Sequence, residues 1–210
     1  MPSSPDTVSP GPAAQRPSTV PVLVTATQRL EQSTSLDGLR RFYGGVAGPL
    51  DRWSGSELLR SGLIGHALHP VLTDVPIGCW TAASILDLRG RDEDRAASRR
   101  LVGAGLLAVG PTALTGLAEW ARTGRETQRI GALHGALNVV ATTLYLTSYV
   151  ARGRRRHGLG AAAALAGAAV TGASGYLGGH MTTARKIGSR DPAYASDLVR
   201  DEHGGTIAGS

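Results

Sequence analysis

The stretch "GHALHPVLTDVPIG", Gly65 to Gly78, sets two histidines, an aspartate and two prolines at the mouth of an apolar run. Imidazole is the commonest side-chain metal ligand, and a haem of b type held between helices needs one histidine from each of two facing helices. His66 and His69 are three apart and share a face if the stretch is helical. Asp74 could then orient a ring as a hydrogen-bond acceptor behind the ligand. Three later stretches carry related chemistry: "TGLAEW" with Glu119 and Trp120, "HGALN" with His134, and "GYLGGHM" with His180. Glu119 is a second carboxylate suited to orienting an imidazole, with Trp120 beside it.

Positioning these groups falls to long apolar segments. A membrane helix needs about 20 mostly apolar residues at about 1.5 Å rise each, and four stretches meet or approach that need. "LVGAGLLAVGPTALTGLA" and "GLGAAAALAGAAVTGASGYLGG" carry no charge, and "ALHGALNVVATTLYLTSYVA" carries none beyond its histidine. The first stretch is interrupted by Asp74 and bent or started by Pro70 and Pro76. The spacing predicts spans over 68–88, 101–121, 132–151 and 159–179 within a domain over 63–187. The stretches lack a polar helical face, and pairs such as Ala168 with Gly172 and Gly175 with Gly179 have the small-residue spacing of packed membrane helices. The fold class expected is all-α, an integral membrane four-helix up-and-down bundle preceded by a disordered tail and short amphipathic helices.

Composition narrows the function classes. A formal charge of +6 comes from 21 arginines and Lys186 against 16 carboxylates. The arginines sit between apolar segments without interleaved aromatics, so nucleic acid is not the expected partner. The expected partner is the lipid bilayer, with a separate redox protein or a second copy of the chain beside it. With one cysteine, Cys79, the 210 residues can hold neither a disulfide nor a cysteine-ligated iron-sulfur cluster. There is no phosphate-binding loop, no H-E-x-x-H and no G-x-S-x-G elbow, so nothing points to an enzyme. The Arg, Ala and Gly content suggests a GC-rich bacterial genome.

Loop charge gives orientation, because short cytoplasmic loops are rich in arginine. The loops over 89–100 and 152–157 are the more basic and are expected in the cytoplasm, with both termini outside and no recognisable signal peptide. With four alternating spans, the start of the first, the end of the second, the start of the third and the end of the fourth share one membrane face. His66, His69, Asp74, Glu119, Trp120, His134 and His180 all fall there.

At this point the chain resembles a known family. "HPVLTDVPIG", "TGLAEW", "HGALN" and "GYLGGHM" are similar to the bacterial four-helix membrane proteins of domain-of-unknown-function family 2231, over roughly residues 63 to 187. The resemblance implies an integral membrane domain of unestablished activity, some of whose relatives carry an iron-sulfur domain of Rieske type. Here the residues after His180 contain no cysteine, so any redox role needs another cofactor or partner.

Two readings of the face stay open. In one, His66, His69, His134 and His180 bind haem b or a transition metal, with Asp74, Glu119 and Trp120 around them, in a redox-accessory protein. In the other, a structural or assembly role, the histidines only stabilise helix ends, and Asp74 caps open amides near Pro76. Ahead of the bundle, residues 1–35 are rich in Pro, Ser and Thr and read as disordered. Residues 36–62 read as an amphipathic segment, interrupted at Gly44-Gly45 and capped again at Ser54 or Ser56. That segment either lies on the membrane with Tyr43 and Trp53 as anchors or covers the bundle as a lid. Residues 188–210 read as a polar tail.

Overall fold

The computed structural model describes residues 21–60 and 67–188, and among these every regular element is helical. Residues 1–20 of the tail expected over 1–35, residues 189–210 of the polar tail expected over 188–210, and His66 lie outside the described residues. Four long helices form the body: α4 (Leu68–Arg89), α5 (Arg95–Trp120), α6 (Arg125–Gly153) and α7 (His157–Gly179). Connections of a few residues make consecutive helices antiparallel, and α4 also packs on α7, which closes the ring. All four are long and apolar enough to cross a membrane. Helices α5 and α6 begin earlier than hydropathy alone predicts, at Arg95 and Arg125, since arginine is a good helix former and its long stem reaches out of the apolar zone. Gly90, at φ 69°, ends α4 in the left-handed conformation that glycine adopts without penalty.

Mid-bundle, Trp80 of α4 stacks on Tyr145 of α6 with ring centroids 3.9 Å apart. The rings fit because Gly105 faces the indole and Gly167 faces the phenol, where a β-carbon would come within 2.3 and 2.9 Å of them. The close-approach stripe of α7 is therefore Gly160, Gly167 and Gly178, each against a side chain of α6. At Gly172, Gly175 and Gly179, which spacing alone marks as packing residues, an added β-carbon would meet nothing within 4 Å. Pro76 cannot donate to the Leu72 carbonyl one turn behind it, and the Thr112 hydroxyl of α5 does so instead at 3.2 Å.

The ends of the bundle are closed differently. Where α4 and α6 finish, Arg152 forms an ion pair with Asp87, both almost wholly buried. Ser98 donates to Asp87 at 2.8 Å, and Arg152 donates through Nε to Ser148 at 3.0 Å. At the opposite end α1 (Val22–Gln32), α2 (Asp37–Arg52) and α3 (Ser56–Leu59) lie over α5 and α6. These helices cover that end as a lid: Tyr43, half-buried, meets Trp120 edge-on and covers Gly135, and Ala47 is buried with Trp120 and Ala132. Phe42, Val46 and Trp53 stay exposed on the outer side.

Three local expectations are corrected. Residues 22–32 are helical rather than disordered, because α1 is held by polar contacts, with Thr27 and Glu31 buried, that an apolar count cannot register. Gly44-Gly45 does not break α2, which runs to Arg52 because tertiary packing outweighs the roughly 1 kcal/mol helix penalty of each glycine. Neither Ser54 nor Ser56 caps α3: Gly55 holds that position, and Ser56 donates back to the Asp51 carbonyl at 3.4 Å.

Candidate functional site

Of the candidate histidines among the described residues, His69, His134 and His180, the fold brings two into contact. His69 enters from the first turn of α4 and His134 from the third turn of α6, with ring centroids 6.4 Å apart and planes perpendicular. Each ring is tied to the backbone of a neighbouring helix. His69 Nδ1 donates to the Thr112 carbonyl of α5 at 2.9 Å, and His134 Nδ1 donates to the Ser174 carbonyl of α7 at 2.8 Å. Space for both comes from glycine: a β-carbon on Gly116 would lie 2.7 Å from the His69 ring, and one on Gly178 would lie 3.1 Å from that of His134.

The second nitrogen of His134 is also engaged. Asn138, one turn along α6, donates to Nε2 at 3.0 Å, and the Ser174 hydroxyl lies 3.1 Å from both the Asn138 side-chain oxygen and the His134 carbonyl. One ring proton, on Nδ1, satisfies every contact of this imidazole. Asn138 is visible in the sequence as the end of "HGALN", one turn from His134, whereas Ser174 reads as an ordinary polar residue of an apolar span. The only signal for Ser174 is the helix parity that sets it opposite His134.

His180 does not join the pair. It lies in the wide turn that ends α7, and its Nε2 meets Glu31 of α1 at 2.9 Å, while Arg185 pairs with the same carboxylate. The sequence placed Glu31 in a disordered tail and so could not supply this partner. Burial pushes the Glu31 carboxyl up, but Arg185 and His180 together outweigh it and hold it below its ordinary value. A parallel clasp fixes α2: Arg129 grips Asp37 with both arms, Nε at 2.8 Å and Nη2 at 3.0 Å. Those hydrogen bonds carry the Asp37 carboxyl down to about 2.

Glu119 sits behind the pair. It accepts from the His69 backbone N–H at 3.4 Å and so caps α4, whose preceding residue Ala67 has no capping side chain. Ala67 in turn donates to the Gly188 carbonyl at 3.1 Å, which brings the end of the described chain back to the start of α4. Gly188 has φ +88°, and a β-carbon there would strike Ala67. The Trp120 indole donates to the Gln128 carbonyl at 2.9 Å and bolts the α5–α6 turn.

Asp74 is the clearest correction. It lies within α4 rather than at its cap, is exposed, and makes no contact with either imidazole. At 100° per residue it is turned by about 140° from His69 around the helix axis, so the two cannot face one centre. Among the described residues no three of His, Cys, Asp and Glu gather where they could hold a metal ion.

The arrangement therefore consists of two anchored imidazoles, an amide and a hydroxyl inside the bundle, a carboxylate capping α4, and an ionic lid above them. No curated protein and no solved structure matches the chain significantly. Over residues 65–191, more than half of its length, it matches the model described as "Predicted membrane protein (DUF2231)", and with its four apolar helices it is a multi-pass membrane protein belonging to that family.

Proposed function

We propose that this domain is a structural or assembly protein of the membrane, in which the polar groups of the histidine face fasten helices to each other. The observation that carries this reading is the saturation of His134: both ring nitrogens are engaged, by Ser174 and Asn138, on two helices. His180 is likewise taken up by the lid through Glu31. Interhelical hydrogen bonds of this kind contribute about 0.6–2 kcal/mol each in a membrane. The expected result is a colourless protein without stoichiometric metal when it is purified in mild detergent after expression with ample haem and iron. A Soret band or stoichiometric metal would overturn the proposal.

A second reading, a redox-accessory protein with haem b or a transition metal on His69 and His134, draws on one observation. Both Nδ1 atoms donate to backbone carbonyls, the anchorage that leaves Nε2 of an imidazole directed at a ligand. Asn138 would have to give up His134 Nε2, and a separate redox protein would have to exchange the electrons. Loss of any Soret band in both His69→Ala and His134→Ala would support it, and a band that survives both would end it. Under either reading the loops over 89–100 and 152–157 belong in the cytoplasm. Arg152 and Arg129, one from each side, are buried in ion pairs, and the remaining loop arginines keep the same bias. Reporter fusions at Arg95 and Gln128 test this, and cytoplasmic signal at Gln128 would reverse it.

A further inference from the structure

The turn between α6 and α7 gathers positive charge that the fold does not neutralise. At this end of the bundle every described carboxylate already has a partner: Asp87 is paired with Arg152, Asp92 with Arg95, Glu93 with Arg91 and Asp94 with Arg89. Arg154, Arg155 and Arg156 are exposed, and none of them forms an ion pair with a described residue. The turn that carries them is fixed. Arg156 donates its backbone N–H to the Ala151 carbonyl at 2.9 Å and Arg155 donates to that of Arg152 at 3.1 Å, the two bonds that close a helix through one left-handed residue. Glycine ordinarily takes that position, yet here it is Arg155, at φ 60°. A side chain kept in a strained conformation marks a place where function outweighs backbone comfort.

Arg154 and Arg156, on either side of the strained residue, border one cavity of about 250 Å³. Below them its wall is apolar, made by Leu146 and Val150 of α6 and Leu159 of α7, all exposed on the outer side of the bundle. Thr147 also lines it, but its hydroxyl is committed to the Thr143 carbonyl at 2.8 Å. Leu146, Val150 and Arg154 follow at intervals of four, so the groove runs about 12 Å down one face of α6, from the charged turn into the span. We infer that this groove binds one anionic phospholipid of the bilayer, with its phosphate between Arg154 and Arg156 and an acyl chain against Leu146, Val150 and Leu159. A soluble anion would engage the arginines and leave the apolar wall bare. A neutral lipid would cover the wall and leave the arginines without a counter-charge. An acidic protein segment outside the membrane would not reach Leu146, two turns into the span. An anionic lipid meets both halves of the groove, because its charge and its chains are stacked in the same order. The inference holds whichever side of the membrane this turn faces, and it does not rest on what the imidazoles at the other end do.

The test uses the full chain in mild detergent, titrated with dioleoyl phosphatidylglycerol or dioleoyl phosphatidylcholine and read by native mass spectrometry as lipid bound per chain. One phosphatidylglycerol is expected to bind about tenfold or more tightly than phosphatidylcholine. Arg154→Ala and Arg156→Ala are each expected to weaken phosphatidylglycerol about fivefold, and the double variant about 25-fold, with phosphatidylcholine unchanged. The double variant Arg91→Ala with Arg95→Ala removes the same charge from the same end, but from arginines already paired, and is expected to leave the affinity within about twofold of native. Val150→Trp keeps both arginines, fills the groove and is expected to weaken phosphatidylglycerol, with helix content by circular dichroism unchanged in every variant. Equal affinity of the native chain for the two lipids would overturn the inference. So would an equal loss in the Arg91 and Arg95 variant, since binding would then follow total charge. Native affinity in Val150→Trp, or displacement of the lipid by inorganic phosphate at equal concentration, would overturn it as well, because the arginines would then hold a free anion without the groove.

Discussion

The two ends of this bundle solve one problem in opposite ways. Where α4 and α6 finish, the polar groups are closed from within, by Asp87 and Arg152 with Ser98 and Ser148 around them. Where α4 and α6 begin, closure comes from outside the bundle, through α1 and α2 and the clasps Asp37–Arg129 and Glu31–Arg185. An internal closure cannot open without breaking the bundle. An applied one can lift while the spans stay packed, because the groups that hold it belong to separate helices.

Substitution should separate the two ends, with the largest effect at the internal one. Arg152→Ala strands the Asp87 carboxylate in a dry site, and unfolding in detergent should show a loss of about 3–5 kcal/mol. The double variant Asp87→Ala with Arg152→Ala should recover much of that, since no charge is left unpaired. If the single variant cost no more than a surface substitution, the internal end would be no firmer than the lid.

At the lid, Arg129→Ala removes both arms that grip Asp37 and should cost less than Arg152→Ala, felt as local opening. Hydrogen exchange is expected to rise over 22–52 while amides of α7 keep native protection. Loss of protection in α7 to the same degree would merge the two ends into one cooperative unit.

Acid should reach the lid first and by the smallest step. Asp37 has its carboxyl lowered from 3.8 to about 2, and Glu31 is lowered as well. A depressed carboxyl stabilises the folded form at pH values above its unfolded value, and that contribution disappears as pH falls through the folded one. Lid protection should therefore hold at pH 5 and decline between about 4 and 2, followed by exchange at amides of α1 and α2. A lid that loosened on going from pH 5 to 8 would contradict the sign.

Much of this was legible in the chain. The spans follow from hydropathy, and parity alone put His69, Glu119, His134 and His180 at one end, because helix direction alternates whatever the packing. The lid escaped, since Thr27 and Glu31 are buried polar residues in a segment whose composition resembles disorder. The partners of the imidazoles escaped too. The carbonyls of Thr112 and Ser174 have no side-chain signature, and each becomes an acceptor only because glycine at 116 or 178 lets a ring come close.

The sequence by itself determined that four helices are long and apolar enough to cross a membrane and how far apart the polar groups sit along each, because a fixed rise per residue converts numbering into distance. Only the tertiary structure decided direction. His69 and Asp74 stand on the same helix about 140° apart, and packing turned the imidazole inward against α5 and left the carboxylate on the outer wall. Periodicity states that the two must diverge. Which one the bundle encloses depends on the neighbouring helices, whose glycines open a place for a ring beside His69 and whose described side chains offer nothing to Asp74.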